Sequence, residues 1–237
     1  MTQQPLSHTV GSVDEQIERR AGLHAALGEP VRLAIVEQLA ESDRAPSVLS
    51  ARLRLPGNLL AHHLDVLERV GLIERTVSSG DRRRRYVRLR HEVLGDVGVG
   101  GSPPRRGRAL FVCTHNSARS QLAAALWRRR TGDDASSAGT HPAEKVHPGA
   151  VAAARRAGLA IDDAVPRPLA GGDLDADVIV TVCDRAHEEL AAPADWLHWS
   201  IPDPVGAGSK RAFDAALSEI DDRIAAVAAP TRDDGGE

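Results

Sequence analysis

Over the first ninety or so positions, apolar residues recur at helical spacing; further on, short apolar runs alternate with helical stretches. In residues 29–41, Leu33, Val36 and Leu39 fall on one helical face, and Pro30 occupies a first-turn position where its missing N–H costs nothing. The pattern predicts helices over Val13–Ala26, Glu29–Glu41 and Ser47–Leu53. After the Pro56-Gly57 break it predicts a fourth over Asn58–Val70, with Asn58 as its cap and Gly71 as its end. On that fourth helix Leu60, Leu64 and Leu67 share one face, and Asn58, His62, Asp65 and Arg69 share the other. Two strands, Leu72–Val77 and Arg83–Leu89, follow around the turn Ser78-Ser79-Gly80-Asp81.

Residues 95–108, GDVGVGGSPPRRGR, have no apolar period and read as a flexible linker. Beyond them Ala109–Val112 is a continuous apolar run suited to a buried parallel strand, and Gln121–Arg130 is helical. A last helix over Ser209–Ala228 puts Phe213, Leu217, Ile220, Ile224 and Val227 on one face. The chain therefore divides into a mainly helical unit at 13–94, the linker at 95–108, and an α/β unit at 109–229. The start, to about Asp14, and the tail TRDDGGE read as disordered.

Two short helices, a helix with a polar outer face and a hairpin make the winged helix-turn-helix plan, in which that outer face enters the DNA major groove. Asn58, His62 and Arg69 are then the groove-facing candidates. Arg82, Arg83, Arg84 and Arg85, with Arg88 and Arg90, form a basic wing for phosphates. Charge supports the division: residues 1–108 carry 17 arginines against 13 acidic residues, whereas the remainder has 13 basic against 20 acidic. His62 and His63 are adjacent, so on a helix they point apart, and no metal site is expected from them.

A composition of 42% hydrophobic and 27% charged residues suits a soluble globular protein. No apolar run is long enough to span a bilayer, and the N-terminus lacks a secretory pattern, so a cytoplasmic protein without membrane contact is expected. The two cysteines, Cys113 and Cys183, cannot build a disulfide framework and fit a reducing compartment.

Cys113 opens the segment CTHNSARS between the predicted strand and helix. A strand, a tight loop and a helix N-terminus form an anion cradle in which converging N–H groups and the helix dipole favour negative charge. Residues Thr114, His115, Asn116, Ser117, Ala118, Arg119 and Ser120 would line it. The same positive potential favours an ionised sulfur at Cys113, and the planar guanidinium of Arg119 can hold two oxygens of a tetrahedral anion. Asn116 tolerates unusual backbone angles, and Ser120 can donate to the sulfur. An inert thiol at a strand end would also fit the Cys-x5-Arg spacing. Far along the chain, however, HWSIPDP places Asp203 in a loop where a general acid is needed.

Two resemblances rest on these motifs. ALGEPVRLAIVEQL and AHHLDVLERVGLIER resemble winged-helix repressors of the ArsR type, which implies a homodimer on DNA. This segment lacks the cysteines that arsenite-sensing members carry, and Leu59 and Ala61 stand where polar residues are common. VCTHNSARSQ, SAGTHP, VHPGAV, DVIVTVCDRAHEE and the PDP loop resemble the low-molecular-weight tyrosine phosphatase family and its arsenate reductase branch. That likeness implies a four-stranded parallel sheet flanked by helices, with Cys113 as nucleophile, Arg119 as oxyanion binder and Asp203 as general acid. The loop wording is closer to the reductases: Ala118 and Val205 stand where the phosphatases usually carry a cysteine and an aromatic.

Reduction implies a second thiol. Cys183 matches a resolving cysteine, and the third cysteine of thioredoxin-coupled reductases is missing from Arg185–Leu190. Either Cys183 resolves, or it is a plain buried thiol and an external thiol attacks directly. No tightly bound cofactor is expected, only a reductant such as thioredoxin, glutaredoxin or a low-molecular-weight thiol. Three functions stay open: a DNA-binding regulator fused to an arsenate reductase, a phosphatase acting on phosphate esters, and a non-catalytic oxyanion-sensing regulator.

Overall fold

The computed structural model describes residues 10–94 and 105–228, so most of the expected linker and both outermost ends lie outside the described residues. The first unit contains α1 (Val10–Leu27), α2 (Pro30–Glu41), α3 (Pro46–Leu53) and α4 (Gly57–Arg69). Then come β1 (Ile73–Val77), β2 (Arg85–Leu89) and the short α5 (His91–Leu94). α1 starts before the expected Val13, and α5 was not expected. Glu29 caps α2 by accepting from the N–H groups of Val31 and Arg32 at 3.1 and 2.9 Å. Asn58 is not a cap: α4 begins one residue earlier behind Pro56, whose ring has no side-chain acceptor. The core of this unit is built by Leu23, Ile35, Leu39, Leu49, Leu60, Leu67 and Leu72, all essentially sealed from solvent. β1 and β2 pair antiparallel, Ile73 opposite Leu89 and Val77 opposite Arg85.

The second unit is a four-stranded parallel sheet in the order β4-β3-β5-β6, formed by β3 (Ala109–Cys113), β4 (Ala135–Gly139), β5 (Val178–Thr181) and β6 (Leu197–His198). Its helices are α6 (Arg119–Thr131), α7 (Pro148–Arg156), α8 (Asp184–Glu189), α9 (Pro204–Ala207) and α10 (Lys210–Val227). β3 is buried along its whole length, as its unbroken apolar run predicts for a strand covered on both faces. α6 is buried nearly all round, with Leu122, Leu126 and Trp127 at zero exposure, and Gly132 closes it in the left-handed conformation. α10 buries Phe213, Ile220, Ile224 and Val227 on the predicted face, together with Arg223, which the apolar pattern does not explain.

The reason for Arg223 is the contact between the two units. Asp43, in the turn after α2, has no exposed side-chain surface and accepts from Arg223 Nη1 at 2.7 Å. It also accepts from the Ser200 N–H at 2.7 Å, and Arg88 Nε lies 3.6 Å away. Arg88 is therefore not part of the basic wing: it is buried, and Glu219 and Glu74 take its other nitrogens. Burial would push the Asp43 carboxyl up, but Arg223 and Arg88 outweigh it and hold the group below the ordinary carboxylate range. Further bonds join Asp43 N–H to His198 O (2.8 Å), Trp199 Nε1 to Glu41 O (2.8 Å) and Arg105 to Glu41 (2.8 Å). The units are docked, where a flexible linker alone implied a tether.

A second contact lies at the wing. Ser79 N–H donates to Asp184 at 2.7 Å, and Ser78 Oγ and Asp81 N–H both donate to Glu188 at 2.7 Å. Gly80 permits this approach, since a Cβ there would sit 2.5 Å from a Glu188 oxygen. Beneath it Tyr86 packs on His198, their ring centroids 4.7 Å apart, and His198 stacks on His187 at 4.1 Å. Burial first, then the neighbouring His198, pushes the His187 imidazole down to about 3.

Replacing Asp43 with Asn leaves two buried guanidinium groups without their carboxylate, a loss of roughly 3–5 kcal/mol in unfolding free energy. Urea titration measures it, and an unmoved midpoint would refute the role of this pair. His187 takes up a proton readily only when unfolded, so stability declines as pH falls from 6.5 toward about 3. Melting temperatures across that window should fall, and His187→Asn should flatten the upper part of the curve.

Candidate active site

The carboxyl ends of β3 and β5 are neighbours, with Val112 opposite Thr181 in register, so the next residues of both strands emerge on one edge. Cys113 ends β3, and Cys183 follows β5 as the N-cap of α8. Between Cys113 and α6 the chain turns sharply, which requires Asn116 in the left-handed conformation at φ 48°. Its side chain pins that turn. Nδ2 donates to Ser120 Oγ at 2.8 Å and to Ser137 Oγ at 2.9 Å, and Oδ1 accepts from the Arg167 N–H at 2.9 Å. Gln121 Nε2 donates to the Asn116 carbonyl oxygen at 3.1 Å. Ser137, Gln121 and Arg167 were not singled out from sequence; Ser137 lies within SAGTHP, a motif whose role there was unassigned.

The sulfur of Cys113 accepts from the Asn116 N–H at 3.2 Å and lies 3.0 Å from Ser120 Oγ. Because Asn116 already donates to the Ser120 oxygen, the hydroxyl proton is free to point at sulfur. Cys113 is 2% exposed, and the groups on its sulfur are polar. Backbone N–H groups of His115, Ser117 and Ala118 have no acceptor among the described residues, as an anion cradle demands. Arg119 reaches across the cradle: Nη1 donates to Ile201 O at 2.9 Å, and Nη2 lies 3.4 Å from Asp203. Asp203 itself accepts from Val205 N–H at 3.2 Å and remains half-exposed.

The Thr114 hydroxyl lies 3.4 Å from the Cys183 sulfur. His115 sits at the rim with Nδ1 3.0 Å from His141 O. Ser117 contributes its carbonyl to His147 N–H at 2.8 Å, and Ala118 is buried as the residue before α6. Burial pushes the Cys183 thiol up, Arg119 pulls it down, and Cys113 is close enough to add to the rise. The two sulfurs thus share one electrostatic environment across Thr114.

On the first unit, Asn58, His62 and Arg69 are all exposed on α4, as are Arg82, Arg83, Arg84 and Arg85 at the wing. Arg83 and Arg84 both approach Asp81, at 3.1 and 3.9 Å. Among the described residues there is no cluster of metal ligands, and no helix is long and apolar enough to cross a membrane.

Known proteins match two stretches of the chain. The sequence profile of the low molecular weight phosphotyrosine protein phosphatase family matches residues 108–234, and that of a helix-turn-helix domain matches residues 27–76. The arsenate reductase of Brevibacillus brevis is 36% identical over 104 residues, which cover 40% of this chain and 75% of that protein. Arsenate reductase 1 of Bacillus cereus is 33% identical over 120 residues, covering 48% and 88% respectively. Among solved structures, the arsenate reductase from Archaeoglobus fulgidus is 32% identical with a TM-score of 0.42, covering 49% of this chain and 94% of that one. The chain belongs to the low molecular weight phosphotyrosine protein phosphatase family, with a helix-turn-helix domain fused ahead of it. It is an enzyme, of the arsenate reductase or the phosphatase kind.

Gly139 ends β4 against the cradle, where a Cβ would lie 2.8 Å from Thr114 O and 3.1 Å from Asn116 N. Gly139→Ala should distort the loop, cutting turnover and phosphate affinity at least about tenfold, the scale of one lost charged hydrogen bond. Kinetics and calorimetric titration read this, and wild-type values for both would refute the packing argument.

Proposed function

We propose that the protein is an arsenate reductase fused to a DNA-binding regulator, with residues 13–94 and 109–229 as its working units and 95–108 joining them. The observation that carries the reading is the pairing of thiols at one cradle: Cys113 sits beneath amides that no group among the described residues accepts from, with Cys183 a hydroxyl away through Thr114.

Arsenate enters the loop 113–120 with its oxygens on the free N–H groups and on Arg119. The Cys113 thiolate attacks arsenic, a sulfur–arsenic bond forms, and one arsenic oxygen leaves as water with a proton from Asp203. Cys183 then loses its proton and attacks the Cys113 sulfur. The sulfur–sulfur bond forms as the sulfur–arsenic bond breaks, and that electron pair stays on arsenic, which departs as arsenite. An external thiol reductant, either a thioredoxin- or glutaredoxin-type protein or a small thiol, restores the two thiols. Such chemistry belongs in a reducing cytoplasm.

The fused domain would bind DNA as a homodimer through Asn58, His62 and Arg69 in the major groove and Arg82, Arg83, Arg84 and Arg85 on phosphates. A phosphatase reading draws support from Asp203, which lies beside Arg119 and can protonate the leaving oxygen of an ester.

Purified protein supplied with arsenate and several thiol donors should yield arsenite, and Cys113→Ser should abolish it. Cys183→Ser should lose protein-coupled turnover while a concentrated small thiol restores part of it. Aryl phosphate hydrolysis that collapses in Asp203→Ala, with no arsenite from any donor, would replace the reductase reading with the phosphatase one.

A further inference from the structure

A second cleft lies between the two units, away from the cysteine loop. It has a volume of about 230 Å³, and Arg44, Ser47, Arg84 and Tyr86 of the first unit line it opposite His187 and Trp196 of the second. That volume is below the roughly 300–1,000 Å³ typical of drug-sized ligands, so only a small molecule fits.

Arg44 is 9% exposed, and its Nε donates to Gln38 O at 3.1 Å. Its two terminal nitrogens have no hydrogen-bond partner, and no carboxylate lies within ion-pair distance, among the described residues. The side chain is mostly withdrawn from water, with its terminal nitrogens open to the cleft, and Glu41 and Asp43 act on it only from beyond ion-pair distance, so an anion entering the cleft would meet an unsatisfied cation. Burial, then the neighbouring Arg52, pushes Arg44 down to about 10. The nearby acids are already taken: Glu41 by Arg105 and Asp43 by Arg223.

The start of α3 faces the same space. Its N-cap is Ala45, which has no side-chain acceptor, and the Ser47 N–H has none among the described residues. The N-terminal end of an eight-residue helix adds partial positive charge there. Arg84, whose side chain is more than half exposed, supplies a second cation, and its one acidic neighbour among the described residues is Asp81 at 3.9 Å.

We propose that this cleft binds one small tetrahedral oxyanion, phosphate or arsenate, between Arg44, Ser47 at the head of α3 and Arg84. The anion completes the hydrogen bonding of Arg44 and sits in a cleft walled on its far side by His187 and Trp196. The site shares no residue with the loop 113–120, so it stands or falls independently of the chemistry assigned to Cys113.

Full-length Arg119→Ala, which removes the guanidinium of the catalytic cradle, is titrated with inorganic phosphate and then arsenate by calorimetry. One anion per chain is expected. Adding Arg44→Gln should weaken it roughly tenfold or more, the loss of a charged hydrogen bond. Ser47→Asp should do the same without harming the fold, since an acidic residue in the first turn favours α3 while its charge repels the anion. Should Arg44→Gln fail to fold, Ser47→Asp decides the matter. No binding in Arg119→Ala, or binding equally tight after the second substitution, would overturn the proposal.

Discussion

A single carboxylate organises this molecule. Asp43 belongs to the helical unit, yet its partners are Arg223 on the last helix and the Ser200 N–H in the segment that leads to Asp203. A charge sealed from water survives only if it is paired and hydrogen-bonded. Closing the two units around it satisfies that demand. The next residue but one after Ser200 begins the Pro202–Pro204 loop, and Ile201 gives its carbonyl to Arg119. The regulator-like half thereby helps fix the loop that orients the guanidinium of the cysteine cradle.

The cradle obeys the same logic at a smaller scale. Asn116 takes a backbone conformation unfavourable to most residues and is compensated by bonds to Ser120, Ser137 and Arg167. Neighbouring N–H groups of His115, Ser117 and Ala118 have no partner among the described residues. An anion would suit such a ring, and the sulfur beneath it accepts from the Asn116 N–H and faces the Ser120 hydroxyl.

Much of this was legible in the sequence. The 3.6-residue apolar period placed α2 and α4, the unbroken run at Ala109–Val112 marked a two-sided buried strand, and Arg119 and Asp203, distant in sequence, do lie side by side. What sequence could not supply was long-range pairing. Arg88 looked like one more wing arginine because nothing local reveals that Asp43 and Glu219 lie beside it. The contact between Thr114 and Cys183 was equally hidden, because it depends on strand register and not on chain spacing. Asn58 looked like a cap because its residue type suits one, but Pro56 and Gly57 start the helix a residue sooner.

The helix carrying Cys183 at its head also grips the hairpin turn through Asp184 and Glu188. Those carboxylates occupy the amides at the tip of the hairpin, the very groups a winged domain would otherwise offer to a nucleic-acid backbone. The arginines Arg82 to Arg85 are left as the outward-facing cations of the arm. In the DNA-binding reading proposed above, the arm would meet a duplex through long side chains and not through its turn, and its footprint on phosphate would depend on how firmly one short helix of the second unit keeps hold of it.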